Sequence, residues 1–248
     1  MTPTIFFSWQ SNSEQKYNRN FLKGHIEHVT KRLPFEPQYT YDEATRGLPG
    51  TPDIPSSIFS KIEKAAVALF DVSIVKRLKR NTGAINSNVA IELGFAAHAI
   101  GWNRIICIMN TKWGEPELLP FDLKQRRFPL TYQYSRFCRK PENTAFRALL
   151  TNAVSDALSG QHKAIERAKD GLSVECVTYI DAYGKNDNFN VNGLATKQEI
   201  DRMLDLGLIR FDVEPHKESF AYSYHWTYLG RRLCDWYHQK KQQNIDNS

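Results

Sequence analysis

Over the first 160 residues the chain alternates short, continuous apolar runs with stretches in which apolar residues recur every three or four positions. Thr4-Ile5-Phe6-Phe7, Ala66-Val67-Ala68-Leu69-Phe70 and Ile105 to Met109 are apolar throughout. A strand covered on both faces has that pattern, whereas a half-solvated one alternates. Between them, Tyr17, Phe21, Ile26 and Val29 give a broken helical period up to Pro34, and Pro37 to Tyr41 is a second extended piece. Ile54, Ile58 and Ile62 at spacing four mark a second helix. Val89, Leu93, Ala96 and Ile100 make a third helical stripe, capped by Asn86 or Ser87 and closed by Gly101. Leu118 to Leu123 reads as a loop leading to a short edge strand around Phe128 to Tyr132, and Ala145, Phe146, Leu149, Leu150, Val154 and Leu158 as a helix stopped by Gly160. Strands and helices in alternation predict an α/β, doubly wound parallel sheet in a first domain, residues 1–160.

The pattern changes in residues 161–248. Gln161 to Gly171 is a charged connector, Leu172 to Tyr183 a helix, and Thr196 with Glu199 a capping box that opens another helix. Two strand-like runs, Ile209 to Val213 and Phe220 to Thr227, precede a helix from Tyr228 to about Gln239. Helices, a hairpin and a closing helix resemble a small α+β winged-helix domain. Its residues argue against DNA binding: Lys197 and Arg202 are offset by Glu199, Asp201 and Asp205, and phosphate neutralisation carries most non-specific affinity. Packing, oligomerisation or partner docking is the expected role, with Tyr222, Tyr224, Trp226, Trp236 and Tyr237 mostly in its core.

Composition narrows the class. With 248 residues, 41% hydrophobic and 12% aromatic, the chain can bury substantial cores. No window has the roughly 18 apolar residues of a membrane span, and the N-terminus lacks a signal-peptide pattern, so the expectation is a cytoplasmic protein with no membrane contact. Cys107, Cys138, Cys176 and Cys234 are too dispersed for a zinc site or a disulfide framework, which predicts reduced thiols and no metal. A net charge of +6 fits an anionic partner, and the basic run Lys76 to Arg80 reads as a solvated loop.

Ligands of doubly wound sheets bind beyond the carboxyl ends of the strands, near a switch in strand order. Ser8, Trp9 and Gln10 follow the first strand, Asp42 to Arg46 the second, and Asp71 and Ser73 the third. Glu92, at about 100° per residue, lies roughly 60° from the middle of its helix's apolar stripe, with Asn88 on the same side. A solvated helix-edge carboxylate is the bland alternative; convergence of the four loops favours a site.

These residues resemble the bacterial TIR-like (Toll/interleukin-1 receptor-like) domains over residues 4–132. The matching pieces are Phe6-Phe7-Ser8-Trp9-Gln10-Ser11, the loop Asp42-x-x-Thr45-x-Gly47-x-Pro49-Gly50, Asp71-Val72-Ser73, and above all Asn88-Val89-Ala90-Ile91-Glu92-Leu93-Gly94-Phe95-Ala96. The resemblance implies a five-stranded flavodoxin-like sheet and, in enzymatic members, cleavage of the ribose–nicotinamide N-glycosidic bond of NAD⁺, giving an NAD⁺ glycohydrolase or cyclase. There NAD⁺ is substrate, no cofactor is needed, Glu92 is the catalytic carboxylate, and the loop Asp42 to Asp53 gates the site and mediates assembly. A homo-oligomer joined through TIR–TIR contacts and a role in bacterial antiphage immunity follow from the same resemblance. Many enzymatic members carry Trp-Cys where this chain has Asn88-Val89. Ser8 and Asn88 are the donors expected to keep Glu92 ionised, Arg46 the expected phosphate contact and Trp9 a platform for a flat base. Two other readings remain: a non-catalytic nucleotide-sensing or TIR-docking scaffold, and a nucleoside deoxyribosyltransferase-like enzyme, which also uses a glutamate in a strand–loop–helix setting.

Overall fold

The computed structural model describes residues 2–35, 38–43, 53–79, 82–126, 129–137, 143–186, 188–189, 197–215 and 220–246. In chain order its elements are β1 (Thr4–Ser8), α1 (Arg19–Thr30), β2 (Thr40–Glu43), α2 (Ile54–Lys64), β3 (Ala65–Asp71), β4 (Lys76–Leu78), β5 (Thr82–Ala84), α3 (Ser87–Ala99), β6 (Ile105–Asn110), α4 (Phe121–Lys124), β7 (Leu130–Tyr132) and α5 (Asn143–Asp170). They continue with α6 (Val174–Tyr183), β8 (Asn188–Phe189), α7 (Lys197–Asp205), β9 (Ile209–Pro215), β10 (Phe220–Trp226) and α8 (Tyr228–Asp246). The chain forms two compact units, Thr2–Leu158 and Ser159–Ser248, and the division falls inside α5.

In the first unit, five parallel strands lie in the order β2-β1-β3-β6-β7. That is the 2-1-3-4-5 order of flavodoxin-like sheets, with its switch point between β1 and β3. All seven residues of β3 are buried. Sealing Val67, Leu69 and Phe70 from water contributes about 1.5–3 kcal/mol each. Strand periodicity divides the core. Phe6, Ala68 and Phe70 pack with Ile58 and Ile62 of α2 and Val89, Leu93 and Ala96 of α3. On the other face α1 meets α5: the rings of Phe21 and Phe146 lie 5.6 Å apart, and Tyr132 packs 5.4 Å from Phe146. The sheet is therefore covered on both sides, as its continuous apolar strands require.

The Asn86 cap and the β6 strand form as expected, and α3 ends at Ala99, with Gly101 at φ 79° turning the chain into β6. This left-handed conformation is readily available only to glycine.

Three local expectations are corrected. The run Lys76 to Lys79 is not a plain loop: Lys76 pairs with Ala84, Arg77 with Gly83 and Leu78 with Thr82 in a short antiparallel hairpin whose basic strand is exposed. Gly160 does not stop α5, which continues to Asp170. Leu158, Gln161, Ile165 and Ala168 are buried and keep the helical period through the supposed connector, so continued packing outweighs the roughly 1 kcal/mol that an interior glycine costs. Phe121 to Lys124 is a helical turn that overlaps the stretch Leu118 to Leu123 expected as a loop.

In the second unit β8, β10 and β9 form an antiparallel sheet in that order. Tyr179, Ile180, Phe189, Ile200, Met203, Leu208, Trp226 and Leu233 make its core. Ser173 caps α6 through its hydroxyl, which accepts from the Cys176 amide at 3.0 Å and donates to Glu199 at 2.7 Å. Thr196, the other half of the expected capping box, lies outside the described residues. At the start of α8 the Gly230 amide donates to Thr227 Oγ1, and a Cβ on Gly230 would meet the Leu208 carbonyl. Tyr224, Trp236 and Tyr237 are partly buried against the core, and the Tyr222 side chain lies outside the described residues. Helix α8 runs to Asp246, beyond the expected Gln239.

Candidate active site

Ser8 ends β1 two residues after Phe6, so the alternation of the strand turns it toward the α2–α3 face. Glu92 comes to the same place from α3, partly buried, about 8 Å along the axis from the first helical residue. That distance exceeds one turn, and the helix dipole gives the carboxylate little help there.

The two are held in register by Asn86. Its Oδ1 accepts the amides of Asn88 (2.8 Å) and Val89 (3.3 Å), capping α3. Its own amide nitrogen donates to Gln10 Oε1 at 2.9 Å, and its side-chain amide donates to Ser11 Oγ (3.1 Å) and Asn12 Oδ1. The loop after β1 is thereby fastened to the start of α3, and Ser8 and Glu92 follow from the two ends of that fastening.

Burial pushes the Glu92 carboxyl above its ordinary value, and the Ser8 hydroxyl opposes the rise. Ser8 is 1% exposed, and its Oγ makes no hydrogen bond of normal geometry among the described residues. The hydroxyl is thus close enough to act on the carboxyl without a hydrogen bond of normal geometry to hold it. Asn88, four residues before Glu92 and on the same side of α3, is exposed.

The other expected residues separate into different groups. Asp71 and Ser73 are 0% exposed and Gln10 is 1% exposed. Gln10 Nε2 donates to the Asp71 and Ser73 carbonyls at 2.7 and 3.0 Å. Asp71 Oδ1 accepts from the Ser73 amide (3.0 Å) and hydroxyl (2.5 Å), and Oδ2 accepts from Asn18 Nδ2 (3.0 Å). Ser73 Oγ in turn accepts the Asn110 amide at 2.8 Å, and Asn110 Nδ2 donates to Asn18 Oδ1 and the Tyr134 carbonyl. Burial raises the Asp71 pKa against the hydrogen bonds from Ser73 and Asn18. These groups, expected to touch a ligand, instead bind one another and tie the carboxyl ends of β1, β3 and β6 together.

Trp9 turns to the α1 side, where the Arg19 guanidinium lies 4.5 Å from its ring centroid. Arg19 also donates to Glu43 Oε2 through Nε (3.1 Å) and Nη2 (2.9 Å). Burial alone would raise Glu43, yet the hydrogen bonds from Arg19 and Tyr41 and the nearby Lys23 bring it below its ordinary value. Trp9 is thus engaged by a cation, which its expected role as a bare stacking platform did not include. Lys61 holds Asp42, at 3.0 Å. Arg46, with residues 44–52 of its loop, and Cys138 lie outside the described residues.

Sequence reasoning missed Asn18, Asn110, Arg19 and Glu43. Asn110 ends an apolar strand at the carboxyl edge, a position that topology alone could have flagged; Asn18 stands in a polar stretch with no distinguishing period. Among the described residues, no group of three or more His, Cys, Asp or Glu is placed to hold a metal ion, and no helix is long and apolar enough to cross a membrane. Neither protein-family models nor curated proteins give a match to the chain.

Proposed function

We propose that the chain is a TIR-like NAD⁺ glycohydrolase or cyclase in which Glu92 is the catalytic carboxylate. The observation that carries this reading is the pairing of a partly buried Glu92 with the buried Ser8 hydroxyl, which has no other side-chain partner among the described residues, beside the switch point of the sheet. Cleavage breaks the bond between ribose C1′ and the pyridinium nitrogen, and the electron pair leaves with nicotinamide as a neutral base. No general acid is required. The positive charge that develops on the ribose is stabilised by an ionised carboxylate, whose influence is strong where water is excluded. Water then captures the ribosyl cation and loses a proton, giving ADP-ribose; capture by a nucleophile of the same nucleotide gives a cyclic product. Asn88 is a contact for the ribose or amide, and Arg46 for the diphosphate.

The antiphage immune role and assembly through the first unit rest on the TIR resemblance and belong to the same proposal. The helices, β9–β10 hairpin and α8 of the second unit support a winged-helix-like module. Its α7 presents Asp201 and Asp205 beside Lys197 and Arg202, with Glu199 buried and accepting from Ser173, and this absence of net positive charge favours protein docking over DNA.

Incubation of the purified full chain with NAD⁺, at concentrations that drive self-association, tests the reading. Nicotinamide release that disappears in Glu92→Ala supports it. Equal release by both proteins, or none from wild type in any assembly state, contradicts it. Exchange of nucleobases on deoxynucleosides without action on NAD⁺ would favour the deoxyribosyltransferase reading instead.

A further inference from the structure

At the amino end of β6, away from the carboxyl edge where Ser8 and Glu92 lie, the sheet has a gap. The β6–β7 register begins at Ile108 and Leu130, so Ile105, Ile106 and Cys107 have β3 on one side and, among the described residues, no strand on the other. Helix α5 covers this gap with Ala153 and Ala157, whose side chains are too short to fill it, and a cavity of about 370 Å³ remains. Ile105, Cys107, Leu130 and the two alanines make its walls apolar. Burial pushes the Cys107 thiol up to about 12, so it brings no charge to them. Close-packed interiors leave few voids larger than a water molecule, and this one has the size of a small-molecule site.

The rim is polar, and part of it is fixed in place. Arg104 Nε donates to the Ala66 carbonyl at 3.0 Å and its Nη2 to the Ala65 carbonyl, which fastens the turn Trp102–Arg104 to the start of β3. Trp102 and Asn103 of that turn border the cavity, together with Arg126, two residues after α4. The Arg126 guanidinium lies over the Trp102 ring, 4.5 Å from its centroid, and makes no ion pair among the described residues. Seated on the ring, it keeps its N–H fork for a planar partner with two oxygens. Asp156 of α5 stands at the same rim, also without an ion pair among the described residues.

We infer that this cavity is a binding site for a planar aromatic monocarboxylate, with the ring against the apolar walls and the carboxylate on Arg126 at the mouth. An apolar ring gains in proportion to the area it removes from water, which the walls provide. The carboxylate matches the guanidinium fork in shape and charge. Asp156 restricts the ligand to a single negative charge, because a dicarboxylate, or a phosphomonoester carrying about −1.5 to −2, would set its further charge against the aspartate. The site shares no residue with Ser8, Glu92 and their supports, and it does not depend on the reading of Glu92 as a catalyst.

Titration calorimetry on the full chain tests this with two probes, 2-naphthoate and 2-naphthalenemethanol, the same ring system with and without the charge. Wild type is expected to bind the acid about tenfold more tightly than the alcohol, the scale of one charge-assisted hydrogen-bonded contact at a partly exposed rim. Arg126→Gln is expected to lose that preference and to bind both probes alike. Ala153→Phe places a side chain in the cavity and is expected to abolish binding of both; thermal melting checks its folding, and Ala157→Leu is a second, smaller filling variant. Glu92→Gln is expected to bind the acid as wild type does. No binding of the acid by wild type, equal affinities for acid and alcohol, a preference that survives Arg126→Gln, or undiminished binding in a folded filling variant overturns the inference. Loss of binding in Glu92→Gln would move the probe to the candidate active site and overturn it as well. Nicotinamide release enters none of these outcomes, so failure of the cavity and failure of the catalytic reading stay distinct.

Discussion

Two polar clusters stand at the same edge of the sheet and differ in how completely they are satisfied. Around Asp71, donors from Ser73 and Asn18 fill the carboxyl, and Gln10 and Asn110 close the surrounding loops. Around Glu92, among the described residues, the Ser8 hydroxyl makes no hydrogen bond of normal geometry and no salt bridge reaches the carboxylate. Both clusters contain residues that strand topology marks as ligand contacts. A buried polar group whose valences are all used inside the protein has its task already; one left open has an interaction still to make. The first cluster is scaffold, and the second is where chemistry is proposed.

Variants that disturb the scaffold are expected to act on stability. Asp71→Ala removes the acceptor of three hydrogen bonds and leaves Asn18 and Ser73 donors buried, so unfolding in denaturant should show a loss of about 3 kcal/mol. Asn86→Ala removes the α3 cap and the ties to Ser11 and Asn12, at a cost of about 1–2 kcal/mol in the same measurement. Because that cap also sets Glu92 against Ser8, nicotinamide release should fall more than the loss of folded protein explains. A preserved rate per folded molecule would separate the cap from the site.

The smaller effects concern protons. Glu92 has a folded pKa raised above its unfolded value, so the folded chain holds this proton more tightly. Stability therefore falls as pH rises between the ordinary carboxylate range and the raised value, and Glu92→Gln should remove that fall from a stability–pH curve. Activity runs the opposite way: it needs the ionised form and should rise over the same window. Ser8→Ala deletes the group opposing the shift, and its acidic limb should move to higher pH. An unmoved limb would mean that Ser8 does not act on the carboxyl.

The α/β architecture was legible because continuous apolar strands and 3.6-residue stripes are local signals of global layers. Glu92 was singled out the same way, as a charge on the shoulder of an apolar stripe. The division of labour among Gln10, Asp71, Ser73 and Glu92 was not legible, because it depends on which hydrogen bonds close, and those cross up to 76 positions in sequence. The Arg19 guanidinium over Trp9 was not foreseen, because it comes from the next helix and carries no signal of its own. Gly160 misled because glycine is a weak stop when burial continues on both sides.

The central claim separates scaffold from chemistry, and one paired measurement addresses it most directly: the rate of nicotinamide release from NAD⁺ and the melting temperature, determined together for wild type and Glu92→Gln. The account predicts a loss of about a thousandfold or more in rate, the scale of losing a main electrostatic stabiliser of the transition state, with the melting temperature unchanged or raised. Release at the wild-type rate from a folded Glu92→Gln protein would contradict it.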